Sequence, residues 1–235
     1  MIKTKIIACL LLLTCCFGFA QDTDTQLRIE PTIDYRINKK WKVAFDYRYG
    51  LKNDISTFQS NMFQLSGEYK ISKRISVEAG YRYSTSFEKD NQRLFASLVY
   101  DYKWKKFTLK SRTLYQFSTP YFDEDFWNEY KEPRQIIREK FTIDYNIPKS
   151  KASVYLSAEL FIKIDNPQWK YNRTRYRVGS DYSLKYGNTI GLSVFYEDRL
   201  NVRKTDRFVF TTKYNLSIDQ LLKKVKKQKE KRDFK

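Results

Sequence analysis

The sequence predicts an all-β chain: an antiparallel transmembrane β-barrel of roughly 10–12 strands, closed by a short basic C-terminal tail. Three observations predict it. Apolar and polar residues alternate with period two from about Leu27 to Leu216. The connections between the alternating runs are short and longer by turns. A leader with the layout of a secretory signal comes first. The chain therefore divides into a leader at 1–20, a barrel domain at 21–217 and a tail at 218–235.

The leader is "MIKTKIIACLLLLTCCFGFAQ". Lys3 and Lys5 make a basic start, Ile6 to Phe17 is almost wholly apolar, and Gly18 and Ala20 put small residues before a cut near Ala20-Gln21. The apolar run is short for an uncleaved anchor helix. A lipid-modified Cys15 or Cys16 fits less well, because Thr14 or Cys15 would stand where a small residue is expected. All three cysteines lie in this leader, so the mature chain has no thiol. The leader itself points outside the cytoplasm.

Composition then excludes much chemistry. The chain has no histidine, which removes Ser–His and Cys–His nucleophile pairs, imidazole bases and most zinc sites. Aromatic residues make up 17%, with 19 Tyr and 17 Phe, a composition suited to pleated surfaces. The mean hydropathy of −0.68 leaves no spanning helix after the leader, but barrel strands alternate, so their mean hydropathy looks soluble.

The runs can be read in order. They cover 27–37, "WKVAFDYRY" (41–49), 59–71, "ISVEAGYRY" (75–83), 93–103, "FTLKSRTLYQF" (107–117), 134–147, 151–164, 173–185, 189–198 and 206–217. Each is about ten residues or somewhat more, the length a tilted strand needs to cross a bilayer. Short connections fall at 38–40, 72–74, 103–106, 148–151 and 186–188, and longer ones at 50–57, 87–92, 118–133, 165–172 and 199–205. Outer-membrane barrels place the short set in the periplasm. Eleven runs conflict with the even strand number of single-chain bacterial barrels. Either the segment carrying Pro31 is not a full strand, or 118–133 or 59–71 hides another.

Which face is wet decides the class. In a membrane barrel the apolar face meets lipid and the polar face lines the interior. Aromatics gather toward run ends, as in Trp41, Tyr47, Tyr49, Tyr81, Tyr83, Tyr100, Tyr102, Tyr115 and Phe117, which matches two interfacial girdles. The polar face carries both signs, as an ion-paired lining would. The candidate lumen cluster is Arg48, Arg138, Glu159, Arg173, Arg175, Arg177, Asp181 and Glu197, with Glu159, Arg175 and Glu197 on three successive runs. The tail carries eight Lys or Arg against Glu230 and Asp233 over 223–235, and Ser217 is placed to cap a short helix there. It reads as a solvated end, or as an arm for anionic head groups.

The leader, "NKKWKVAFDYRY" (38–49), "RQIIREKFTIDYNI" (134–147), "SAELF" (157–161) and "NRTRYRVGSDYSL" (172–184) together resemble one family. It is the set of Gram-negative barrel proteins catalogued as domain of unknown function 2490. The matching positions are Arg48, Arg138, Glu159, Phe161, Arg173, Arg175 and Gly179. The resemblance implies an outer-membrane barrel of unknown activity, and it supplies no catalytic residue and no ligand. The basic tail departs from the usual apolar closing strand.

Three functions compete. The first is an integral outer-membrane barrel, structural and with a narrow ion-pair-filled lumen, or alternatively a small-solute channel. Its surroundings would be outer-membrane lipid and lipopolysaccharide. The second is a hydrolase without histidine, using carboxylates of the long connection such as Asp123 with Asp125, or Glu124 with Glu129. No catalytic residue, metal ligand or cofactor stands out, so the expectation is a non-enzyme. The third is a polyanion binder, suggested by the net charge of +18. Nucleic acid needs aromatics beside the basic residues, and period two puts them on opposite faces.

Overall fold

The computed structural model describes residues 23–87, 89–123, 133–165, 168–199, 206–219 and 222. They form eleven strands: β1 (Thr23–Arg36), β2 (Trp41–Lys52), β3 (Thr57–Lys70), β4 (Ile75–Thr85), β5 (Lys89–Trp104), β6 (Phe107–Asp123), β7 (Arg134–Asn146), β8 (Ala152–Asp165), β9 (Gln168–Ser183), β10 (Thr189–Asp198) and β11 (Asp206–Ser217). Each strand pairs with its sequence neighbours, and β1 pairs with β11 to close the barrel. At roughly 4.8 Å between strands tilted near 40°, eleven strands enclose a backbone radius of about 11 Å.

The odd count has a simple resolution. Sequential pairs are antiparallel, so β1 and β11 run the same way, and they pair in parallel from Thr23↔Asp206 to Asp34↔Ser217. The Pro31 segment is a full strand of 14 residues. Proline lacks an N–H, and the β1–β2 ladder passes over Glu30 and Pro31 while keeping register on both sides. No extra strand lies within 59–71, which belongs to β3.

Four of the five longer connections are shorter than the sequence predicts, and the one at 199–205 keeps its expected bounds. β8 runs to Asp165 and β9 starts at Gln168, so the expected 165–172 connection is mostly strand. β6 likewise extends to Asp123. Polar residues at these strand ends hide them from a hydrophobic pattern. Glu124, Asp125 and Glu129 lie outside the described residues, as does the leader. A helical turn starts at Ile218-Asp219, and most of the tail beyond lies outside the described residues. The Ser217 hydroxyl donates to carboxylates, 3.2 Å from Asp34 Oδ1 and 2.9 Å from Asp219 Oδ1, and Gln220, to which a cap would reach, lies outside the described residues.

Exposure inverts the pattern of a soluble protein. Leu65 and Leu156 are 61% exposed and Leu192 is 59%, whereas Glu197 is 0% and Glu159 is 3%. Water would penalise such an outer wall, and lipid would not. Aromatic pairs sit toward both rims of this wall. Trp41 packs at a tilt against Tyr69 (4.8 Å) and Phe107 against Tyr145 (5.0 Å) at the short-turn end, while Tyr47–Phe63 and Tyr196–Phe208 (5.2 Å each) lie toward the other. An acid in the middle of a strand breaks the outer pattern. Glu139 alternates outward between Arg138 and Lys140, and Ser111 Oγ (2.8 Å) and Thr113 Oγ1 (2.5 Å) donate to its carboxylate from β6.

Candidate functional site in the barrel lumen

Period two sends every second side chain of β7 to β11 inward, and register then decides which of them meet. Arg138 on β7 lies diagonally across from Glu159 on β8, two residues from the register partner Lys140; Glu159 is opposite Arg175 on β9, Arg175 is opposite Glu197 on β10, and Glu197 is opposite Arg207 on β11. A single row of charges therefore crosses five strands. A bulge helps to form it. Phe161 pairs with Arg173 but Ile162 pairs with Tyr171, so Asn172 is the extra residue. The bulge keeps Arg173, Arg175 and Arg177 inward while Trp169 and Tyr171 stay exposed.

The contacts are dense. Glu159 Oε1 accepts from Arg138 Nη2 at 2.6 Å, and its Oε2 lies 3.2 Å from Arg175 Nη1. Arg112 Nη2 stands 3.6 Å from the same carboxylate. Glu197 Oε2 accepts from Arg175 Nη2 at 2.5 Å and from its Nε at 3.0 Å. Glu197 Oε1 has Arg207 at 2.7 Å, Arg173 at 3.3 Å and Arg199 at 3.8 Å. Two phenyl rings serve as platforms. Phe161 carries Arg138, Arg173 and Arg175 at 4.7, 4.1 and 5.0 Å, and Phe195 carries Arg28, Arg175 and Arg177 at 5.2, 4.4 and 4.7 Å. Guanidinium faces stack on rings while their edges bind carboxylates, so both modes operate at once.

Six of the eight sequence candidates meet here: Arg138, Glu159, Arg173, Arg175 and Glu197 by charge, and Arg177 through the Phe195 ring. Two do not. Arg48 pairs with Glu30 at 2.5 Å on the β1–β2 wall. Asp181 lies nearer the short-turn end, opposite Gly191 and Ser153. Register, which the sequence does not display, separates them. The reading from sequence missed Phe195, Gln26 and Arg93. Inward parity with Glu197 was the available signal for Phe195, whereas Arg93 opens its alternating run and gains its place only because β5 starts earlier.

The row packs one wall of the lumen; the space lies beside it. A cavity of about 1440 Å³ is lined by residues of β1 to β9 and β11 and reaches the rim at Thr23, Asn53, Asp54 and Phe87. Its lining holds fourteen Arg and Lys against six Asp and Glu, an excess of eight positive charges. The Nε–H groups of Arg28, Arg112 and Arg207 are buried with no acceptor among the described residues. A smaller cavity of about 280 Å³ continues toward the short-turn end along Asp34, Lys42, Glu68 and Asn215, and shares Thr32, Asp46 and Glu78 with the first. Among the described residues no group of His, Cys, Asp and Glu is placed to hold a metal ion.

Comparison with known proteins adds the following. Among solved structures the chain is similar to a bacterial polysaccharide outer membrane secretin, with 14% identity and a TM-score of 0.44 over 78% of this chain and 64% of that one. It is also similar to a porin, with 16% identity and a TM-score of 0.35 over 70% and 55%. A third is OccAB4 of Acinetobacter baumannii, with 11% identity and a TM-score of 0.36 over 73% and 50%. This chain thus spans under two thirds of the secretin's length. No curated protein matches it. The family model described as a protein of unknown function, DUF2490, matches residues 29–223, and the chain belongs to that family.

Proposed function

We propose that this protein is an outer-membrane barrel, exported by removal of its leader, whose lumen admits small anionic solutes. The observation that carries this reading is the cavity of about 1440 Å³ with an excess of eight positive charges. Such a compartment concentrates anions and repels cations, because low-dielectric walls focus the field of the lining charges. The Glu159–Arg175–Glu197 row holds the guanidiniums apart and in place. Outer-membrane lipid and lipopolysaccharide surround the barrel, and it performs no chemistry of its own.

The test is a planar bilayer holding the refolded mature chain under a potassium chloride gradient. Current with a reversal potential on the chloride side supports the reading. Arg175→Glu should shift that potential toward potassium. Absence of current, or cation selectivity in the unaltered chain, would overturn it. A structural barrel with a closed lumen is the second reading. The observation favouring it is the tightness of the charge row, in which Glu197, Phe161 and Phe195 are at most 1% exposed.

A further inference from the structure

Among the described residues most lumen arginines stand within ion-pair distance of a carboxylate, but Arg82 and Arg93, like Arg28 and Arg177, do not. Arg82 and Arg93 are direct register partners on β4 and β5. Their side chains point into the same cavity. Like charges placed directly opposite across a ladder destabilise it. Among the described residues, the hydrogen-bond acceptors of both are neutral. Arg82 donates to Gln64 Oε1 through Nε (2.8 Å) and Nη2 (2.5 Å), and Arg93 Nε donates to Ser118 Oγ at 3.0 Å. The nearest carboxylate along this chain of bonds is Asp46, one amide away, where it accepts from Gln64 Nε2 at 2.8 Å. The charged groups acting on Arg93 are Arg173, Arg48 and Arg175, all of its own sign. Those acting on Arg82 are Arg48, Arg93 and Arg138, with Glu30 weakest. Two buried apolar side chains, Met62 and Phe95, line the cavity beside them.

We propose that Arg82 and Arg93 form a binding site for a doubly charged oxyanion, a phosphate group. The guanidinium N–H groups that Gln64 and Ser118 leave unused, on neighbouring strands, are the donors offered to one tetrahedral anion, and arginine recognises phosphate through such charge-assisted donors. A dianion also offsets the charge of both Arg82 and Arg93, whereas a monocarboxylate offsets half as much. Met62 and Phe95 give an apolar surface for the organic part of a phosphate ester. This site rests on the reading of the lumen as an anion compartment and names the class of anion held there.

The test is calorimetric titration of inorganic phosphate into the refolded chain in detergent, a readout that needs no conduction. The unaltered chain should bind one phosphate. Arg82→Gln and Arg93→Gln should each weaken binding about tenfold or more, the loss expected for one charge-assisted contact. Arg74→Gln, which removes an equal charge at a short turn outside both cavities, should change it little, and heat-modifiable gel migration verifies folding of each variant. Acetate should bind at least tenfold more weakly. No phosphate binding, equal binding of acetate, or an unchanged affinity in both Gln variants would overturn the site. Phosphate binding without any bilayer current would retain the site and remove the solute path, so the two failures are distinguishable.

Discussion

Glu197 is the member of the charge row whose loss is felt most. Its carboxylate is 0% exposed and stands within ion-pair distance of Arg173, Arg175, Arg199 and Arg207. Glu197→Gln keeps the shape and removes the charge. Arg175 would retain Glu159 at 3.2 Å. Arg207 would retain Gln26 at 3.5 Å, and Arg173 the Phe161 ring and Asn172. Removing one partner of a buried ion pair costs about 3–5 kcal/mol, and the amide oxygen that remains places this variant near 3 kcal/mol. Glu159→Gln should cost somewhat less, because Arg112 is 3.6 Å away and less enclosed. Arg175 is shared by both acids, so the double variant leaves it with neither. Its cost should exceed the sum of the single costs by about 0.5–3 kcal/mol. Denaturant unfolding in lipid vesicles, followed through tryptophan fluorescence, measures all three. A Glu197→Gln change within 0.5 kcal/mol of zero, or strict additivity in the double variant, would refute a shared network.

Further outcomes follow from single positions. Gly179 faces inward, and a Cβ there would lie 2.6 Å from the Tyr155 ring and 2.7 Å from Ser193 Cβ. Gly179→Val should therefore destabilise the barrel by about 1–3 kcal/mol in the same unfolding measurement, the cost of overpacking. Arg138 and Glu139 are neighbours in sequence on opposite walls. Arg138→Leu should destabilise by about 1–3 kcal/mol, as Glu159 loses its 2.6 Å partner. Glu139→Leu should be neutral or stabilising by about 1 kcal/mol, because a carboxylate on the lipid face is costly. Loss of stability in both, or in Glu139→Leu alone, would reverse the assignment of the walls.

The inside and outside of the barrel were legible because period two needs no knowledge of pairing. Arg173, Arg175 and Arg177 fall on one face in the sequence and line one wall in the fold. The parallel β1–β11 closure was hidden, since the sequence pattern of a strand carries no sign of its partner's direction. The ends of β8 and β9 were hidden because Asp165, Gln168 and Asn172 interrupt the alternation. Apolar residues with lumen parity were not assigned to the lumen either, and Phe161 entered only as a family match. Phe161, Phe195 and Val209 are at most 1% exposed yet lie on the charged side of their strands. A polar-face inventory passes over them, although two of them are the platforms for the guanidiniums. The Arg82–Arg93 juxtaposition depends on the β4–β5 register, which alternation leaves open by multiples of two residues.

The central claim is that the apolar wall faces lipid and the charged wall faces the lumen. Leu192 tests it directly, at 59% exposure and mid-strand on β10. The measurement is the unfolding free energy of Leu192→Arg in a bilayer, compared with the unaltered chain. An arginine facing the hydrocarbon core should lower it by about 2–4 kcal/mol. An unchanged free energy, with a mature chain that stays monodisperse in buffer without detergent, would contradict the inverted barrel.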